Sequence, residues 1–426
     1  MSFMILLLVY FSRLVLSSES QYYYDHWCGG ELEYLDDGNC DKLFPSSFDK
    51  NWKCPIALTE TAEIITELRN RGFVMETPLL RDIAVDTTTL PSLINSTANI
   101  CLTLTKRILK SNDEVYLMNK YYCNGEHSLY DAYETWSSSK IFAMANAGRH
   151  LTNETNCDDV YGLINNVVSN KYNNVTLGDL ASVVCAYDET AGYTSNSLSS
   201  FFHDIGWRSN LNNLINSDWL GMQLNNENPQ SLGGNYGEAS PSDLQLIIAD
   251  NGKFCTLDKD EWLNTYDNSI SALTEVELLR RIVLHSDIPD EMKFPGLKVD
   301  DVKSMLYGAS DKTVLFPNQM WGGMSADTSI FLQSSLDMNK IDEISYGNWR
   351  IFSKLGAGWS TSRQVGEIIS NAYACFPSTA NGINDGTEFS ITIRGSIKYD
   401  TSLKLVEQQV KDAYNEVISL IQSDQL

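Results

Sequence analysis

The chain has 426 residues, of which 43% are apolar and 11% aromatic, enough for a substantial buried core. Its formal net charge of -24 excludes nucleic acid as a partner, because a phosphate backbone calls for a basic surface, and it disfavours an anionic membrane surface. No CxxC or Cys/His spacing suggests zinc, and no glycine-rich phosphate loop follows a strand, so neither metal nor cofactor is expected.

From the N-terminus, Phe3 to Phe11 is an apolar run followed by Ser17-Ser18-Glu19-Ser20, the pattern of a secretory signal over residues 1–19. The run is well short of the roughly 20 residues that span a bilayer. A secreted or extracellular protein is expected, periplasmic if the source is bacterial, with no membrane contact after cleavage. Nine cysteines suit an oxidising compartment. Cys28, Cys40 and Cys54 crowd a Tyr- and Asp-rich extension over residues 20–60, which reads as disulfide-tied. The odd count leaves one thiol free, and Cys185, on an apolar helix face, is the candidate. Asn95, Asn153 and Asn174 open Asn-x-Thr/Ser triplets and would accept glycans in a eukaryotic host.

Apolar spacing predicts a short helix over Thr59–Arg69. Ile100–Leu104 and Glu114–Met118 read as strands joined by the polar turn Lys110–Asp113. The stretch from Lys140 to about His285 reads as mostly helical. Within it, Thr176-Leu177-Gly178-Asp179 is a capping box ahead of a helix at Leu180–Ala186. A second helix, Ser197–Asp204, is expected to close on Gly206. Leu273–Leu284 is strongly amphipathic, and residues 224–268 read as long loops. Strand-like runs return at Asn348–Ser353, Asn371–Phe376 and Glu388–Arg394, and Val406–Ile421 forms a closing helix with one apolar stripe. Strands from both ends of the chain around a helical insertion define an α+β architecture: an antiparallel sheet flanked by helices.

One motif carries chemistry. Ser137-Ser138-Ser139-Lys140 stands at the start of the apolar run Ile141–Ala145 and sets a hydroxyl and an amine one turn apart on one face. A serine hydroxyl needs a neighbouring base, and a lysine serves only when burial or a second cation lowers its pKa. Ser47-Phe48-Asp49-Lys50 repeats the spacing, but in a polar stretch. The five histidines show no spacing suited to a Ser/His/Asp triad and read as structural.

The order of motifs resembles the serine β-lactamase and penicillin-binding protein superfamily, marked by S-x-x-K, then S-x-N or Y-x-N, then K-[TS]-G on a strand. Ser137 and Lys140 match the first, and Lys354-Leu355-Gly356 the third. Tyr187-Asp188-Glu189 resembles the second, with Tyr193-Thr194-Ser195-Asn196 a competing alignment. The resemblance spans roughly residues 95–426. It implies a hydrolase domain over 61–426, with a helical subdomain at about 140–300, and a β-lactamase/transpeptidase-like fold.

The resemblance also implies roles. Ser137 would attack a carbonyl, Lys140 would take its proton, Lys354 would stand beside Lys140, and Tyr187 would protonate the leaving group. The backbones of Ser137 and Ala357 would hold the oxyanion, Glu189 would contact substrate, and Gly356 would keep the strand edge clear for it. Asp260 is the nearest match to the deacylating loop acid. Leu355 replaces the usual hydroxyl residue, while Arg363 and Arg394 are alternative carboxylate binders. The substrate would be a small-molecule or peptide-like amide or ester. A catalytically silent binding protein of the same fold and a glutaminase-type amidohydrolase remain as alternatives.

Overall fold

The computed structural model describes residues 43–426 except 154–161, 165, 169–174, 187–191, 223–229, 248–253, 256–258, 261–266, 309–320 and 378–385. Its backbone is an antiparallel sheet of five long strands: β1 (Asn99–Leu109), β2 (Val115–Cys123), β3 (Arg350–Ser360), β4 (Val365–Phe376) and β5 (Thr387–Lys398). The spatial order is β3-β4-β5-β1-β2, so the two ends of the chain meet where β5 pairs with β1. Val74–Met75 extends the far edge, and Leu58–Thr59 and Val85–Asp86 add short parallel pairings. The α+β expectation therefore holds, with each strand longer than its apolar run indicated.

Alternation along the strands divides the core. On β4, Ile369, Tyr373 and Cys375 face a helical layer, whereas Ile368, Ala372, Ala374 and Phe376 face the other side. The helical layer holds α1 (Lys140–Asn153), α2 (Leu177–Ala186), α3 (Ser195–Gly206) and α4 (Ala272–Val283). The opposite face is covered by α5 (Lys404–Gln422), whose Val406, Val410, Tyr414 and Val417 are buried.

Local signals explain most boundaries. The capping box forms: Thr176 N–H donates to Asp179 Oδ2 at 2.8 Å and Asp179 N–H donates to Thr176 Oγ1 at 3.0 Å. The close of α3 differs from expectation. The residue after it with positive φ is Trp207, not Gly206. Gly206 serves a different need, because a β-carbon there would lie 2.9 Å from Ala147 N on α1. It is the point at which two helices touch.

Cys54 pairs with Cys375 on β4, and Cys101 with Cys123 across β1 and β2. The described part of the extension is thus tied to the sheet, not to itself, and Leu58–Thr59 joins β1 directly. Cys185 is free and buried, as expected. Cys28 and Cys40, like the signal and cleavage regions, lie outside the described residues.

Candidate active site

The serine motif occupies a tight corner. Thr135 is pinned to Asn268 O by its N–H and hydroxyl, at 2.8 and 3.1 Å. Trp136 then takes a φ of 49°, strained for a bulky residue, immediately before Ser137. Trp136–Ser139 forms a 3-10 turn, and Lys140, whose N–H donates to Ser137 O, opens α1. Ser137 is half-buried and Lys140 fully buried. A single non-glycine residue with positive φ turns the chain so that Ser137 stays half-buried while Lys140 enters the core.

Lys140 Nζ donates to Ser195 Oγ at 2.9 Å and Asn196 Oδ1 at 2.7 Å, both at the start of α3. Burial, then the nearby Lys354 charge, hold its pKa well below the ordinary lysine value; Glu238, Cys185 and Asp327 act weakly the other way. Lys354 lies mid-strand on β3, where it bonds Asp327 Oδ2 at 3.0 Å and Leu355 O at 3.2 Å. Both lysines also act on the Cys185 thiol, which burial pushes up to about 12. The helical layer and the sheet thus bring the two amines to one place. Lys354 keeps a carboxylate partner, Asp327.

The K-x-G segment was expected at a strand end but runs through the middle of β3, the edge strand of the sheet. Lys354, Gly356 and Gly358 fall on the strand face toward the serine turn, as period two requires. A β-carbon at Gly356 would lie 2.5 Å from Thr135 O, 2.7 Å from Ser138 N and 2.9 Å from Ser137 N. One at Gly358 would lie 2.5 Å from the Trp136 ring. These glycines were expected to clear room for a substrate; instead they let the strand close onto the serine turn. Ala357 packs its side chain toward α5, so only its backbone is available to the site. Leu355 is buried in the same cluster.

Tyr187 and Glu189 lie outside the described residues. Ser195 and Asn196, from the competing stretch, stand beside Lys140. The Tyr193 hydroxyl donates to Asp243 Oδ2 at 2.8 Å. Asp260 accepts from Arg208 N–H at 2.8 Å and caps a short helix, Arg208–Asn213. Arg363 and Arg394 are both committed to the buried Glu367, which also accepts from Trp136 Nε1 at 3.1 Å.

Two further groups stand at the site, both on the loop Gly233–Glu238, whose stretch Gly233–Gly237 reads in the sequence as a tight loop. Tyr236 lays its ring 5.3 Å from Lys140 Nζ, shares a hydrogen bond of 3.0 Å with Ser139 Oγ, and stacks on His203. Glu238 accepts from Thr194 Oγ1 and, at 3.3 Å, from Asn196 Nδ2. The available signal was the Gly-Gly-x-Tyr-Gly-Glu run itself, which composition marks only as a loop. Among the described residues no cluster of His, Cys, Asp or Glu is arranged to hold a metal ion.

No protein-family model and no curated protein sequence matches the chain. Solved structures similar to it include β-lactamases. One from Burkholderia vietnamiensis has a TM-score of 0.39 and 9% identity over 77% of this chain and 91% of that one. A class D β-lactamase from Fusobacterium nucleatum has a TM-score of 0.33 and 12% identity over 85% and 99%. A carbapenemase from Vibrio cholerae has a TM-score of 0.37 and 9% identity over 78% and 97%. At these scores the likeness carries no inference about chemistry, which rests on the residues themselves.

Proposed function

We propose that the protein is a secreted serine hydrolase of the β-lactamase and penicillin-binding-protein type, forming an acyl-enzyme on an amide or ester. One observation supports this above the rest. Lys140 is buried one turn after Ser137, and its amine is driven toward the neutral form by desolvation and by a second lysine.

In this reading neutral Lys140 takes the Ser137 proton as the oxygen attacks the carbonyl carbon. The backbone N–H groups of Ser137 and Ala357 hold the resulting oxyanion. The proton reaches the leaving nitrogen or oxygen through Lys140 and the Ser195 hydroxyl bonded to it. Lys354, fixed by Asp327, supplies positive charge toward the anionic intermediate and keeps Lys140 neutral. Glu238, the carboxylate of the overlying loop, activates the water that releases the acyl group. Tyr187 would add a general acid for the leaving group and Glu189 a contact to substrate, the roles the resemblance implies.

The test is incubation with a fluorophosphonate and with a fluorescent penicillin, followed by peptide mass spectrometry. An adduct on Ser137, lost in Ser137→Ala and Lys140→Ala, supports the reading. No adduct with either probe favours a silent binding protein instead. In Glu238→Gln, acylation is expected to persist while release of the acyl group slows by on the order of 100-fold, read as a longer-lived adduct by intact mass.

A further inference from the structure

Beneath the serine turn lies a carboxyl group that the mechanism does not use. Glu275, in the first turn of α4, is fully buried. Its Oε2 accepts from Tyr133 OH at 2.8 Å, and its Oε1 is buried without a hydrogen-bond partner. The Ser138 hydroxyl meets the same carboxyl while bonding Thr135 O at 2.6 Å, so the acid touches the turn that aims Ser137.

Among the described residues no cation pairs with it. On α4 itself, Glu277 is held by Arg280 and Arg281. From β5, Arg394 stacks on the Tyr133 ring and gives its two terminal nitrogens to Asn99 and to Glu367 of β4, its Nε being buried without a hydrogen-bond partner. Glu134, next to Tyr133, pairs with Arg363. Asn371 of β4 reaches only the backbone oxygen of Glu275, at 3.4 Å. An ionised carboxylate with a bare buried oxygen and no counter-charge is costly, whereas the neutral acid is not.

We propose that Glu275 is a positioning residue for the nucleophile: a neutral carboxylic acid beneath the Thr135–Ser138 turn, whose ionisation disturbs the turn and withdraws Ser137 from its attacking position. This rests on the serine-hydrolase reading above. Burial pushes the carboxyl up to about 7, against the pull of the Ser138 and Tyr133 hydroxyls. Acylation should therefore fail on the alkaline side of neutrality, independently of Lys140, which gains activity as pH rises.

The experiment is the pH profile of Ser137 labelling by a fluorophosphonate in the intact protein, paired with isotope-edited infrared spectroscopy of its glutamate carboxyls. Wild type is expected to lose about tenfold in labelling rate for each pH unit above the midpoint near neutrality. Glu275→Gln should retain the rate on the acid side and lack the decline. Tyr133→Phe, which removes a donor to the carboxylate, should move the decline to higher pH. A protonated-carboxyl band should be present below neutrality and missing in Glu275→Gln. A decline that persists unchanged in Glu275→Gln, or no such band, overturns this inference while the labelling itself still supports a serine hydrolase. Absence of labelling in wild type at every pH sinks both.

Discussion

Lys140 and Lys354 are the same side chain in opposite surroundings. Lys354 holds a carboxylate, Asp327, at 3.0 Å, whereas Lys140 faces hydroxyl and amide oxygens and feels its neighbour's charge. The proposed division into fixed cation and base rests on that asymmetry. Glu275 obeys the same desolvation rule with opposite sign. Its folded-state pKa of about 7 exceeds the ordinary 4.5, so the folded protein binds more protons between those values and loses stability as pH rises through them. Glu275→Gln is therefore expected to stabilise the fold at about pH 8 by on the order of 1–3 kcal/mol and to lose that advantage near pH 4, measured by denaturant unfolding at both. Ser137, Lys140 and Lys354 were legible in the sequence because their spacing and order are short-range marks. Glu275 was not, since one acid in an amphipathic helix reads as part of the polar face until packing shows that face to be buried.

The site depends on how closely two elements approach. Strand β3 presses on the serine turn through Gly356, and α3 touches α1 through Gly206. Gly356→Ala is expected to force the strand and the turn apart, misplacing the Ser137 and Ala357 N–H groups. Acylation should fall by roughly 100-fold or more, the scale of losing one oxyanion donor, while far-ultraviolet circular dichroism remains native; unchanged labelling would contradict that geometry. Elements with period-two or period-3.6 patterning were found from sequence, but strand lengths were underestimated. In β3 the segment Lys354-Leu355-Gly356-Ala357-Gly358 carries apolar side chains only at Leu355 and Ala357, because its other face, Lys354, Gly356 and Gly358, meets the serine turn instead of the core. The second motif was read ambiguously for a related reason: Ser195 and Asn196 sit on a helix start, where such residues are usual caps.

At the scale of the molecule, the chain's two ends build the sheet and its middle builds the helical layer, and the site forms only where the layers meet. Distant segments must therefore be locked together. The Cys54–Cys375 disulfide closes 321 residues and fastens the N-terminal segment, with Phe48 against Tyr307 and Trp321, to the sheet. Cys54→Ser is expected to cost about 2–4 kcal/mol in denaturant unfolding, with Ser137 labelling retained below the transition. This pairing was not legible, because sequence clustering pointed to local bridges and only the fold brings residue 375 near residue 54. The same convergence of layers brings the Lys354 charge within electrostatic reach of Lys140, and it is tested most directly by the pH dependence of Ser137 labelling in wild type and Lys354→Met. If the second lysine's charge holds Lys140 neutral, wild type should show an acid limb well below the ordinary lysine range, and Lys354→Met should shift that limb to higher pH. An acid limb that stays in place when Lys354 is removed would contradict the account.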